Sequence, residues 1–186
     1  MKERENILEI LKETKKAIKE NNCSLIRDLS NHTINTASLT QDPDNIAVAV
    51  IIYSLSKIFE RRDYRGLPGW EAFYDVVVNS LEHSIKDIES GNEKDFRKDF
   101  KSIRNAIGKL SGKLKKYIED VFRMAEINKA SRIYEHGISM EQTARLLGIS
   151  MFELADYAGK TGISNVPTAK TMDVKLRVKI AVELFK

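Results

Sequence analysis

The sequence predicts an all-α protein, a bundle of four to five helices carrying a helix-turn-helix module at its C-terminal end. Three observations lead there. Apolar residues recur at three- and four-residue steps through almost every segment, the period of an amphipathic helix. Only three prolines and nine glycines punctuate 186 residues, too few turn residues for a protein of many short strands. Hydrophobic residues make up 42% and charged residues 31%, a balance that excludes a disordered chain and suits helices with charged outer faces. A length of 186 residues fits one or two domains, and two are expected: a helical bundle over 1–127 and a helix-turn-helix module with a final amphipathic helix over 128–186.

The first helix is expected from Glu5 to Lys19, with Ile7, Leu8, Leu11 and Ile18 on one side and Asn21-Asn22 ending it. A second should run from Ser24, a candidate N-cap, to about Leu39. Asp42 then suits an N-cap and Pro43 the first position of a third helix. That helix, IAVAVIIYSLSKIFERRD, is apolar all round for its first ten residues and so belongs at the centre of the core. Its β-branched residues make a buried strand the competing reading, but the capping signal and the spacing of Leu55, Ile58 and Phe59 favour helix. Gly66-Leu67-Pro68-Gly69 is the clearest loop.

Trp70, Phe73, Val77, Leu81, Ile85 and Ile88 place a fourth helix from Trp70 to about Glu89, closed by Ser90-Gly91-Asn92. Phe96, Phe100, Ile103, Ile107, Leu110, Leu114, Tyr117, Val121 and Met124 then alternate steps of four and three. This 3.5-residue repeat makes a seam on a long helix, suited to bundle packing or to a homodimer. Gly108 and Gly112 weaken it, so a break near Ser111 stays open and residues 93–136 are one helix or two. No flexible spacer precedes the C-terminal module. Beyond it, 164–170 is irregular around Pro167, and Val174, Val178, Val182 and Phe185 predict a last helix from about Met172 to Phe185.

The helix-turn-helix is read from GISMEQTARLLGISMFELADYAGKTGI, residues 137–163. Ala144 is the small residue that lets two helices approach, Gly148 tolerates the positive φ of the turn, Ile149 plugs the core, and Ser150 caps the second helix. Leu154 and Tyr157 face inward beside Thr143 and Leu147. A plain helical hairpin with a glycine corner is the competing reading.

The charge is poor for a duplex. Net charge is +4 overall, with a pI near 9.0, but Ser139–Ile163 holds two basic residues, Arg145 and Lys160, against Glu141, Glu153 and Asp156. The outward positions of the second helix are expected to be Met151, Glu153, Asp156 and Lys160, where a DNA reader would carry Arg, Lys, Asn or Gln. Candidate phosphate contacts are therefore Lys160 and the flanking Lys175, Arg177 and Lys179, together with the run Lys101–Lys116. That run holds Lys101, Arg104, Lys109, Lys113, Lys115 and Lys116 and no acid, all opposite the apolar seam. An ordinary solvated face is the plainer reading of the same residues.

Gly137, Ile138, Ser139, Ala144, Leu147, Gly148, Ile149, Ser150, Glu153, Leu154, Gly162 and Ile163 together resemble the helix-turn-helix antitoxins encoded beside PIN-domain ribonuclease toxins. The likeness covers about 50 residues at the C-terminus. It implies a protein without catalysis of its own that sequesters a PIN-domain nuclease and represses its own operon on DNA. A second pattern, Arg27-Asp28-Leu29-Ser30-Asn31-His32, matches the Arg-polar-x-x-x-His element of HEPN ribonucleases. In such an enzyme His32 would be the general base and Arg27 would stabilise the charged phosphate. The two lie about 140° apart around a helix and would share a phosphate only near a helix end or across a dimer. An ordinary surface Arg and His is the alternative, and a purely structural interaction module is the third reading of the whole chain.

No metal or cofactor is expected, because His32, His83 and His136 are far apart and no phosphate-cradling glycine loop or nucleophile elbow occurs. The single Cys23 forms no intramolecular disulfide. With no secretory signal, and with an apolar stretch at 46–55 about half the length of a membrane span, a cytoplasmic protein is expected.

Overall fold

The computed structural model describes residues 1–161, and every element in that span is helical. The helices are α1 Arg4–Lys19, α2 Cys23–Thr40, α3 Pro43–Glu60, α4 Trp70–Ser90, α5 Glu93–Gly108, α6 Gly112–Glu135, α7 Met140–Leu147 and α8 Met151–Thr161, with a 3-10 turn at Arg62–Gly66. The expected final helix, and with it Lys175, Arg177 and Lys179, lies outside the described residues.

Local chemistry sets the helix ends. Asp42 caps α3 by accepting from the Asp44 N–H at 2.9 Å, with Pro43 opening the helix as expected. The cap of α2 is Asn22, whose side chain accepts from the Leu25 N–H at 3.1 Å, and not Ser24. Asparagine caps as well as serine, and with Asn21 in the left-handed region outside the helix, Asn22 takes the capping position two residues before Ser24. Ser24 instead lies within the first turn and takes a bond from Arg27 at 3.4 Å. Gly91, in the left-handed region, closes α4.

α3 is the hub. Thirteen of its eighteen residues are buried, and Val48, Ile51, Ile52, Leu55 and Ile58 join α1 (Ile7, Leu11), α4 (Phe73, Val77), α5 (Phe100, Ile103) and α6 (Leu114, Ile118) in one core. A strand at 46–52 is excluded by the structure. A smaller apolar cluster, Ile34, Ala37, Ile46, Ala49, Ile133 and Ile138, with Leu146 and Leu147 against it, fastens α7 to the far end of α2, α3 and α6.

The long seam divides. Gly108 ends α5, Ser111 is extended and Gly112 takes a φ of +61°, so residues 93–135 form two helices. The break resets the phase. Phe96, Phe100, Ile103, Ile107, Leu110 and Leu114 are buried as expected, but α6 then buries Ile118, Phe122 and Ala125, while Tyr117 and Met124 stand 39% and 53% exposed. Most of the stripe that suggested a homodimer is thus inside the core of a single copy. The expected boundary between residues 127 and 128 falls within α6, which runs on to Glu135.

Candidate interaction site on the C-terminal helix pair

α7 and α8 meet at a tight corner built by Gly148, Ile149 and Ser150 with Glu153 one turn on. Gly148 ends α7 with φ +68° and ψ +26° and donates its N–H to the Ala144 carbonyl. The Ile149 N–H reaches the same carbonyl at 3.1 Å. Ser150 and Glu153 cap each other: the Glu153 N–H donates to Ser150 Oγ at 3.2 Å, and the Ser150 N–H donates back to Glu153 Oε2 at 3.0 Å. This reciprocal pair satisfies two N–H groups that the start of a helix otherwise leaves bare. Thr143, Ala144, Leu154 and Ala158 are buried, and Ile149 and Tyr157 half-buried.

The pair is held to the bundle by several directed contacts. Arg123 of α6 forms an ion pair with Glu153, and Asn128 donates to Tyr157 Oη at 3.3 Å. Gln142 bonds Gln41, and His136 lies 3.2 Å from Asn35 Oδ1. Since 123 pairs with 153 and 128 with 157, α8 runs in the same direction as α6.

These contacts change which residues of α8 face outward. Glu153, expected there, turns into the cap and toward Arg123, and its carboxyl is held below the usual range by the Ser150 hydrogen bonds. Lys160 is tied to Asp156 at 2.6 Å, a pairing that leaves its charge largely answered within its own helix. The exposed face consists of Met151, Phe152, Ala155, Asp156, Gly159 and Lys160. Phe152, at 86% exposure, is the dominant feature, and it is not among the outward residues expected from the sequence. A helical wheel carries the signal, because Phe152 lies only about 40° from Asp156, already read as outward.

The cations of 101–116 are split by the α5–α6 junction. Lys101 and Arg104 are on α5, Lys109 is at the corner, and Lys113, Lys115 and Lys116 are in the first turns of α6. Arg104 forms an ion pair with Glu126 across the junction. The single basic face expected of one long helix is therefore absent, but Lys109, Lys113 and Lys116 remain exposed. Arg27 is half-buried and His32 exposed, both on α2, and no hydrogen bond between them is found among the described residues. No cluster of three or more His, Cys, Asp or Glu side chains placed to hold a metal ion occurs among the described residues, nor is any helix there long and apolar enough to cross a membrane. Burial and the nearby Glu60 push the Cys23 thiol up, away from the reactive thiolate.

Comparison with models of known protein families, with curated proteins and with solved structures returned no match.

Proposed function

We propose that this is a non-enzymatic binding protein of the antitoxin kind, in which α7 and α8 serve as a helix-turn-helix whose α8 meets a protein partner. The observation that carries the reading is the outward face of α8. Phe152 and Met151 stand 86% and 49% exposed there, beside Ala155 and Gly159, whose small side chains allow close approach of another helix. Exposed aromatic and methionine side chains are the residues that anchor protein interfaces. A duplex would require donors at those positions.

The resemblance of residues 137–163 to antitoxins names the partner class, a PIN-domain ribonuclease. Titrating the protein into a PIN-domain ribonuclease from the same genome, with RNA cleavage as readout, tests this. Stoichiometric inhibition that Phe152→Glu abolishes is expected; cleavage unchanged at excess protein would contradict the reading.

A transcription-regulatory use has its own support in the lysines of α6. Lys113, Lys115 and Lys116 occupy the first turns of that helix, the end where the helix dipole disfavours cations. Their placement therefore does not serve helix stability, whereas phosphate contact would account for it. Lys113 lies ten residues before Arg123, about 15 Å along the axis from the point where α8 docks. In a gel shift on the DNA upstream of its own gene, binding should fall steeply with salt and weaken on Lys113→Glu with Lys116→Glu. No shift at about 50 mM salt would remove the DNA-binding role.

A further inference from the structure

On the side of α8 facing α3, a groove of about 390 Å³ opens between the bundle and the helix pair. Four of the chain's six tyrosines line it: Tyr53, Tyr64, Tyr117 and Tyr157. Tyr64 and Tyr117 stack, with centroids 5.4 Å apart and planes 14° from parallel. Tyr64 is buried and covers one face of Tyr117, which is still 39% exposed. The stack therefore ends in an open ring.

Two cations flank these rings. Arg61 sits over Tyr64 with its guanidinium carbon 5.6 Å from the ring centre, and the Lys57 ammonium lies 5.9 Å from the centre of Tyr53. Lys57 is also paired with Glu60 at 3.0 Å, at the surface where such a pair exchanges readily with other ions. Asp120, one helical turn beyond Tyr117, supplies a carboxylate beside the open ring. Asn128 has its amide nitrogen on Tyr157. A flat ring to extend the stack, an acceptor for an exocyclic amine and two cations at the edge describe what a nucleobase with a phosphate needs. The volume also falls in the range of small-ligand sites.

We propose that this groove binds a phosphate-bearing nucleobase, stacked on Tyr117 with its phosphate between Lys57 and Arg61. The source is either a free mononucleotide or an unpaired base of a strand. Because Tyr157 of α8 forms one wall, an occupant touches the helix that carries the proposed interaction face, and occupancy is coupled to how α8 rests on α6. Nucleotide binding does not itself require α8 to have a partner.

Isothermal titration of the full chain with AMP and with a short oligoadenylate separates the two sources. Saturable one-to-one binding of either is expected, weakened about tenfold or more by Tyr117→Ala and by Arg61→Ala. Both positions are exposed enough to substitute without opening the core, and Arg61→Ala stands as the independent variant should Tyr117→Ala unfold. Lys86→Ala, exposed on α4 and outside the groove, should leave binding unchanged. Absence of heat from either ligand up to about 1 mM, binding indifferent to both substitutions, or equal binding of inorganic phosphate alone would overturn the proposal. Preference for tetramethylammonium over AMP would do so too, since it would make the tyrosines a cage for an organic cation.

Discussion

Lys129 holds an amine at a fully buried position on α6. Its partners among the described residues are the Asn31 side-chain oxygen at 2.9 Å and the face of Tyr53, 4.3 Å from the ring centre. Burial, with Arg132 adding repulsion, pushes its pKa down to about 7. The folded-state value thus lies below the unfolded one, and between about pH 7 and pH 10 the unfolded chain binds a proton that the folded chain does not. Stability should rise with pH across that window, and the penalty should be complete below it. Lys129→Met removes the charge while keeping the stem, so urea unfolding at pH 6 should find the variant more stable by about 1–3 kcal/mol, with the pH slope gone. A variant less stable than the parent at pH 6 would mean that the Asn31 and Tyr53 contacts outweigh the desolvation. Nothing local in the sequence marks this lysine, because its burial is decided by α2 and α3, far away along the chain. Gly148 is the opposite case. Its left-handed φ was legible from its place between two periodic segments, and beyond its own chain neighbours nothing lies within 4 Å of where a Cβ would stand. Gly148→Ala should therefore cost backbone strain alone, about 1–2 kcal/mol by denaturant titration, and Gly148→Asn less.

The start of α8 depends on the Ser150–Glu153 cap, and Ser150→Ala should cost about 1 kcal/mol. Hydrogen exchange should show that loss concentrated in α7 and α8, since the bundle core does not touch the cap; an even loss over α1–α6 would contradict this. The elements that could be read from sequence share one property, that their ends are written in neighbouring residues. Asp42-Pro43 and Gly91 are examples. Gly108 and Gly112 marked the α5–α6 break near Ser111 as one of two open readings, but its effect on phase could not be read, because Phe96 to Leu110 and Leu114 onward each keep helical spacing and a turn at 109–111 rotates the second stripe without leaving a gap in the pattern. The same rotation turned Ile118 and Phe122 inward in place of Tyr117 and Val121 and divided the basic run. Helical position alone puts Glu153 on the outer face, whereas the spacing Ser150-x-x-Glu153 holds the cap signature that turns it inward.

Among the described residues, the bundle comprises six helices, α1–α6, and not the four to five expected, because the seam of 93–135 divides in two; it presents a short helix pair on the face formed by α2, α3 and α6. α7 is held by apolar packing through Leu146 and Leu147, whereas α8 is held by Leu154, Ala158, one ion pair and one amide–hydroxyl bond. The helix bearing the exposed phenylalanine is thus the more lightly fastened of the two, and a ligand at the tyrosine groove acts on that attachment. Leu154→Ala, which empties the centre of it, should cost about 2–5 kcal/mol and weaken every function of the pair together. Phe152 separates function from folding, because its side chain is in solvent. The most direct measurement is the affinity of Phe152→Ser for a PIN-domain ribonuclease, set beside its urea midpoint. If α8 meets its partner through Phe152, the midpoint stays within about 0.5 kcal/mol of the parent and affinity falls about thirtyfold or more, as for an interface anchor. Unchanged affinity at unchanged stability would contradict it.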